Sequence, residues 1–309
     1  MTKELKLSVS PHIHSGLSTQ KIMLDVIIAL LPASIAGVVI FGLRSLLVLS
    51  VCTASAVLFE FLFNVITKKS QTVGDLSAIV TGLLLGLNLP ATIPVWQCVV
   101  GSFLAIVIVK CLFGGIGCNL VNPAITARVF MIVSFASMTT VATPTIVDSV
   151  SGATPLSSPE ATQPISELVL GLKGGAIGET CIIALVLGLV YLLIRRVITW
   201  HVPVTFIGSV YVLYLLVDGF DPMNALAMIL SGGLFLGAIF MATDYVTSPA
   251  TAWGKVVFGI GAGVLTFLIR YFGIYPEGVS FAILFMNILT PYIDNWTKRK
   301  VIFAGGKKA

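Results

Sequence analysis

The chain has 309 residues, of which 57% are apolar and only 10% charged, with a mean hydropathy of +1.05. Soluble domains carry about a quarter charged residues, so this composition excludes a water-soluble globule. The net charge of +5 records which loops stay in the cytoplasm and gives no reason to expect a nucleic-acid partner.

Residues 1–21 form a polar tail that lacks an apolar core followed by a small-residue cleavage site, so the first membrane helix is expected to direct insertion itself. Apolar stretches long enough to cross a bilayer follow at 22–42, 45–67, 74–89, 95–113, 123–140, 177–194, 202–218, 223–241, 254–272 and 278–293. The expected organisation is an all-α integral membrane protein of about ten transmembrane helices. It comprises a cytoplasmic tail (1–21), a first repeat (22–140), an outer loop (141–176), a second repeat (177–294) and a basic cytoplasmic tail (295–309).

Orientation follows from the cations. With the N-terminus inside, Lys3, Lys6, Lys21, Lys68, Lys69, Lys110, Arg195, Arg196, Lys255, Lys298, Arg299, Lys300, Lys307 and Lys308 fall on the inner side, against Arg44, Lys173 and Arg270 outside. That asymmetry places both termini in the cytoplasm of a prokaryotic inner membrane and the loop 141–176 outside.

Two stretches are broken. The stretch 74–89 is short and runs into Gly86-Leu87-Asn88-Leu89-Pro90, and 223–241 is interrupted at Ser231-Gly232-Gly233. Each is the third of a half with five spans, and Gly82-Leu83-Leu84-Leu85-Gly86 echoes Gly233-Leu234-Phe235-Leu236-Gly237. An odd number of spans per half inverts the second half relative to the first, a transporter plan in which irregular backbone marks a binding site or path. The five cysteines lie within or beside apolar runs with no C-x-x-C spacing and read as packing residues. Neither a P-loop nor a dinucleotide fingerprint occurs, since Gly171-Leu172-Lys173-Gly174-Gly175 lacks the spacing.

In the outer loop, Asp148-Ser149-Val150-Ser151-Gly152-Ala153-Thr154 holds an acid, small residues and a hydroxyl. A Thr hydroxyl accepts a phosphoryl group, and small neighbours admit a modifying enzyme. The D-x-x-S-G-A-T run resembles the sequence at which a flavin transferase attaches FMN to threonine through its phosphate. Further matching stretches are Ser10-Pro11-His12, Asn122-Pro123-Ala124 with Arg128, Ala242-Thr243-Asp244 through Thr247-Ser248-Pro249, and Glu277 through Asn287. Together they resemble the RnfD subunits of Rnf complexes, with the NqrB subunits of sodium-pumping quinone reductases as relatives.

The resemblance implies a membrane subunit of a multisubunit ferredoxin:NAD oxidoreductase that couples electron transfer to Na⁺ or H⁺ movement. It implies a fold of two inverted five-helix repeats like that of urea transporters, other Rnf subunits as partners, and covalent FMN on Thr154. It also admits a noncovalent riboflavin in the membrane part. Asp148, Ser151, Gly152 and Ala153 accompany Thr154, and Asn122 and Arg128 are candidates for holding flavin phosphate or carbonyl oxygens, with a buried ion pair as the other reading of Arg128.

Ionisable groups at membrane depth are expensive and need a reason. Asp25 and Glu60 are expected to lie near interfaces or pair with a cation. Thr243, Asp244 and Thr247, with Glu277 and Asn287, are the ion-path candidates, although these oxygens equally suit a polar loop at the inner surface. The rival reading of the whole chain is a solute channel or permease of urea-transporter-like fold. Broken repeats fit both, whereas D-x-x-S-G-A-T fits only the electron carrier.

Overall fold

The computed structural model describes residues 18–139, 142, 144, 165–273 and 278–298, and among these it contains helices and no strand beyond an isolated antiparallel bridge between Ala142 and Gly175. Helix α1 (Thr19–Phe41) starts where the Ser18 side chain accepts the Lys21 N–H, and ends at Gly42. The glycine has φ 76°, which suits a residue without Cβ. It turns the chain at once into α2 (Leu43–Ile66).

The third apolar stretch is short, as its sequence suggests: α3 (Ser77–Leu87) stops at Asn88, and residues 88–94 run without helix into α4 (Val95–Phe103) of the fourth. That helix continues as a π-helical segment, Leu104–Cys111, a widened turn common at functional sites. Helix α5 (Pro123–Ser134) is capped by Asn122, whose Oδ1 accepts from the N–H groups of Ala124 at 3.0 Å and Ile125 at 3.3 Å, with Pro123 in the first turn.

The described chain resumes with α6 (Ile165–Leu170). Next, α7 (Ile182–Ile194) begins later than the apolar run predicts, because residues 171–181 enter as non-helical chain. Then come α8 (His201–Val217) and α9 (Pro222–Leu230). Ser231-Gly232-Gly233 breaks α9 from α10 (Leu234–Leu236), whose π continuation is Gly237–Met241, with a bend of 67°. Helices α11 (Ala252–Phe272) and α12 (Val279–Thr297) complete the set.

Among the described residues three helices, α1, α2 and α11, are each long and apolar enough to cross a membrane, and the bent α9–α10 pair makes a fourth crossing if it is one span. The other crossings expected from hydropathy include shorter apolar helices, because glycine, proline and buried polar residues interrupt the runs. Helix α1 packs on α7, α5 on α12, α2 on both α3 and α4, and α8 on both α9 and α11.

The distribution of side chains is inverted relative to a soluble protein. Leu43, Ile66, Leu187, Ile194, Val204 and Ile288 are exposed, whereas Asp25, Glu60, Lys110, Arg128, Lys173 and Glu179 are buried. An apolar solvent outside, and ion pairs or hydrogen bonds to the charges inside, account for both.

Candidate functional site

The two helix breaks meet around Arg128. Asn88, the residue that ends α3, accepts a hydrogen bond from Arg128 Nη1 and donates to Leu84 O at 2.5 Å. The other guanidinium nitrogen, Nη2, donates to Glu179 Oε1 at 2.5 Å, and both side chains are almost wholly buried. The second break closes on the same pair: a Cβ placed on Gly233 would lie 2.5 Å from Glu179 Oε1 and 3.3 Å from Arg128 Nη1. Glycine there lets the backbone approach the ions.

The segment 171–181 is held between the breaks. Ile177 N–H donates to Leu89 O at 3.1 Å and Gly178 N–H to Leu87 O at 2.7 Å, satisfying carbonyls that the end of α3 leaves open. A Cβ on Gly178 would meet Leu87 Cβ at 2.6 Å. At the end of α9, Ser231 Oγ donates to Ala227 O at 2.7 Å. Arg270 donates to Met228 O at 3.0 Å and Ser231 O at 3.2 Å, and the Lys173 ammonium donates to Leu230 O.

A second charged cluster lies on the first half. The Lys110 ammonium sits on both Glu60 oxygens at 3.0 and 2.9 Å and donates to Ser77 Oγ at 2.5 Å, while Thr72 Oγ1 donates to Glu60 Oε1 at 2.7 Å. Asp25 accepts from Tyr191 OH at 2.9 Å and from Arg195 at 3.2 to 3.3 Å. The carboxylates of Glu60 and Asp25 thus pair with cations, one of the two readings open from sequence.

Of the ion-path candidates, Thr243, Asp244, Thr247 and Asn287 fall into one neighbourhood. Thr247 Oγ1 donates to Asp244 Oδ2 at 3.2 Å, and Thr243 Oγ1 donates to Ile239 O at 2.5 Å. The neighbours of Asn287 orient its amide: its nitrogen donates to Thr247 O at 3.2 Å and Ile283 O at 3.3 Å, and its oxygen accepts Asn122 N–H at 3.1 Å. Asn122 Nδ2 also donates to Met241 O at 3.4 Å.

Lys110, Ser77, Asn119, Asn122, Thr243 and Asp244 line a cavity of about 120 Å³ together with apolar residues of α1, α3 and α7.

Asp148, Ser151, Gly152, Ala153, Thr154 and Glu277 lie outside the described residues. The structure thus brings Arg128 to Glu179 and Asn88, and Asn122 to Asn287 and Met241. Sequence reading missed Asn88, Lys173 and Glu179 as members of one cluster. The usable signal was Gly178-Glu179-Thr180, a carboxylate at the threshold of an apolar run, which needs a buried partner if the run is in the membrane. Of the cysteines, Cys52, Cys98 and Cys111 are buried, Cys181 is half-buried and Cys118 is exposed, and all are free.

Lipid-facing apolar surface, discontinuous helices and charges paired at their breaks define an integral membrane protein of the helical class, with a polar centre suited to moving or holding charge. The chain belongs to the NQR2, RnfD, RnfE family, whose model matches residues 6–303. It is 44% identical over 305 residues, covering 96% of this chain and 95% of the relative, to the D subunit of the Na(+)-translocating ferredoxin:NAD(+) oxidoreductase complex of Acetobacterium woodii. It is 41% identical over 312 residues, 94% of each chain, to the D subunit of the proton-translocating ferredoxin:NAD(+) oxidoreductase complex of Clostridium ljungdahlii. The D subunit of an ion-translocating oxidoreductase complex of Actinobacillus succinogenes is 35% identical over 344 residues, covering 96% of this chain and 97% of the relative.

Proposed function

We propose that this chain is the D-type membrane subunit of an Rnf-type ferredoxin:NAD⁺ oxidoreductase complex, in which electron transfer drives a cation across the membrane. The observation that carries the reading is the match along nearly the whole length of both chains to relatives named for that role. The relatives' names divide between sodium and protons, so the ion is a property to be measured on this protein.

The proposed topology is ten crossings in two inverted repeats of five, termini inside and the loop 141–176 outside. Corresponding packing supports it: α2 on α4 matches α8 on α11, and α1 on α7 and α5 on α12 join equivalent members of the two halves. The cation path is proposed to pass Thr243 and Asp244 at the cavity, with Thr247 and Asn287 beside them and Glu277, outside the described residues, as a further candidate.

FMN is proposed to attach to Thr154, with a flavin transferase as the maturing partner. The donor chemistry suits it: the Thr154 hydroxyl accepts the phosphoryl group, and Ser151, Gly152 and Ala153 leave room around it. Bound there, FMN would supply one-electron exchange between partners. Ferredoxin and NAD⁺ are assigned to other subunits, because this sequence has no dinucleotide fingerprint.

The test is to coexpress the chain with a flavin transferase, run it on a denaturing gel and look for fluorescence. The expected outcome is a fluorescent wild-type band and a dark Thr154→Ala band of equal membrane abundance. A dark wild-type band under those conditions refutes the flavin assignment and leaves the family membership untouched.

A further inference from the structure

A lysine ammonium has three N–H donors and no acceptor, so a buried one is well accommodated only where oxygens surround it. Two buried lysines show how differently this fold meets that need. Lys110 is 2% exposed, and its ammonium meets both Glu60 oxygens at 3.0 and 2.9 Å and Ser77 Oγ at 2.5 Å, which engages every donor. Lys173 is equally buried, but among the described residues its nitrogen has one hydrogen-bond partner, the Leu230 carbonyl.

The neighbours of Lys173 do not make up the deficit. Two further carbonyls at the end of α9, Met228 O and Ser231 O, are taken by Arg270 at 3.0 and 3.2 Å. Glu179, the carboxylate that acts on Lys173, is already paired with Arg128. Among the described residues, the charged and titratable groups acting on the ammonium are Glu179 and the Cys181 thiol on its own segment and Arg270 on α11. Burial, reinforced by the Arg270 guanidinium, pushes Lys173 down to about 8, and Glu179 and Cys181 offset only part of this.

The spot thus disfavours a positive charge, yet a neutral amine fits it. Loss of the proton breaks one N–H bond, passes the proton to water and leaves two N–H groups, so a donor remains for Leu230 O.

We propose that Lys173 is a proton-binding site of the second break, alternating between ammonium and amine while its contact to α9 stays made, so that the charge beside the Arg128–Glu179 pair changes by one unit. The assignment rests on α9 and the segment 171–181 and needs no flavin on Thr154, so a dark band in the fluorescence test leaves it standing.

The test follows the unfolding temperature of the purified full-length chain in detergent from about pH 7 to about pH 10, for wild type, Lys173→Met, Lys173→Gln and Lys173→Arg. An unfolded lysine holds its proton to about pH 10.4, so above about pH 8 the unfolded state binds more protons than the folded one, and wild type gains stability as pH rises. Lys173→Met has no such proton, and wild type is expected to gain several degrees on it across the interval. Lys173→Gln, a neutral donor, is the same reference should the Met variant not fold. Lys173→Arg stays charged throughout and is expected to show no such gain. A difference between wild type and the neutral variants that is flat with pH, a gain in Lys173→Arg equal to that of wild type, or failure of both neutral variants to fold overturns the proposal.

Discussion

The two helix breaks solve one problem with different chemistry. At the end of α3 the open carbonyls of Leu87 and Leu89 are met by backbone N–H groups of the returning segment, and the neutral Asn88 fills the turn. At the end of α9 the carbonyls are met by Lys173 and Arg270. Among the described residues, Arg128 and Glu179 belong to both. The first break is therefore a hydrogen-bonded joint and the second a charged one, so single substitutions are expected to cost more where they strand a charge than where they remove a neutral bond.

Removing Arg128 is the strongest way to break this contrast. Arg128→Leu leaves Glu179 buried without its guanidinium and deprives Asn88 of a donor, with an expected loss of about 3–5 kcal/mol, seen as a low yield of monodisperse protein or a collapsed unfolding temperature. Arg128→Leu combined with Glu179→Gln is expected to recover a substantial part of that loss. No recovery would mean that packing, and not the stranded charge, dominates the joint.

Next in size, Lys110→Met tests the same principle away from the breaks. Stranding Glu60 is expected to cost about 3 kcal/mol, and adding Glu60→Gln is expected to recover most of it in the same unfolding measurement. Gly233→Ala then probes steric access to the shared pair, since its Cβ falls against Glu179 Oε1. The expected cost is about 1–3 kcal/mol, and the loss should shrink in a Glu179→Ala background.

The smallest effect is expected at Arg44, an exposed side chain whose guanidinium caps Ala91 O at 3.0 Å and Thr92 O at 3.1 Å beside the first break. Arg44→Gln should cost about 1 kcal/mol or less, because water replaces the lost donors. A loss comparable to that of Arg128→Leu would erase the distinction between the neutral and the charged joint.

Much of the helical plan could be read directly from the residues. The runs at 22–42 and 45–67 became α1 and α2 within a few residues, and Ser231-Gly232-Gly233 marked a true break. The run at 177–194 misled at its start: Ile177 and Gly178 are apolar and read as helix, but they lie in a turn whose N–H groups donate to the Leu89 and Leu87 carbonyls. A hydropathy window registers burial, and burial in this protein includes non-helical backbone gripped between helices. The burial of Lys173 against α9 had no counterpart in its sequence position, where it counted only as an outer-side cation.

By itself the sequence determined the solvent, since so few charges among so many apolar residues leave only a bilayer, and it determined the places where helices stop, because glycine, asparagine and proline act locally. It also named Arg128 as a charge at membrane depth, with a flavin contact or a buried ion pair as its two readings. Only the tertiary structure decided that the partner is Glu179, 51 residues away, and that Asn88, Gly233 and Lys173 share the same centre. Helix ends are set by neighbouring residues, whereas a buried charge is satisfied by whatever the fold carries to it, and sequence distance holds no record of that meeting.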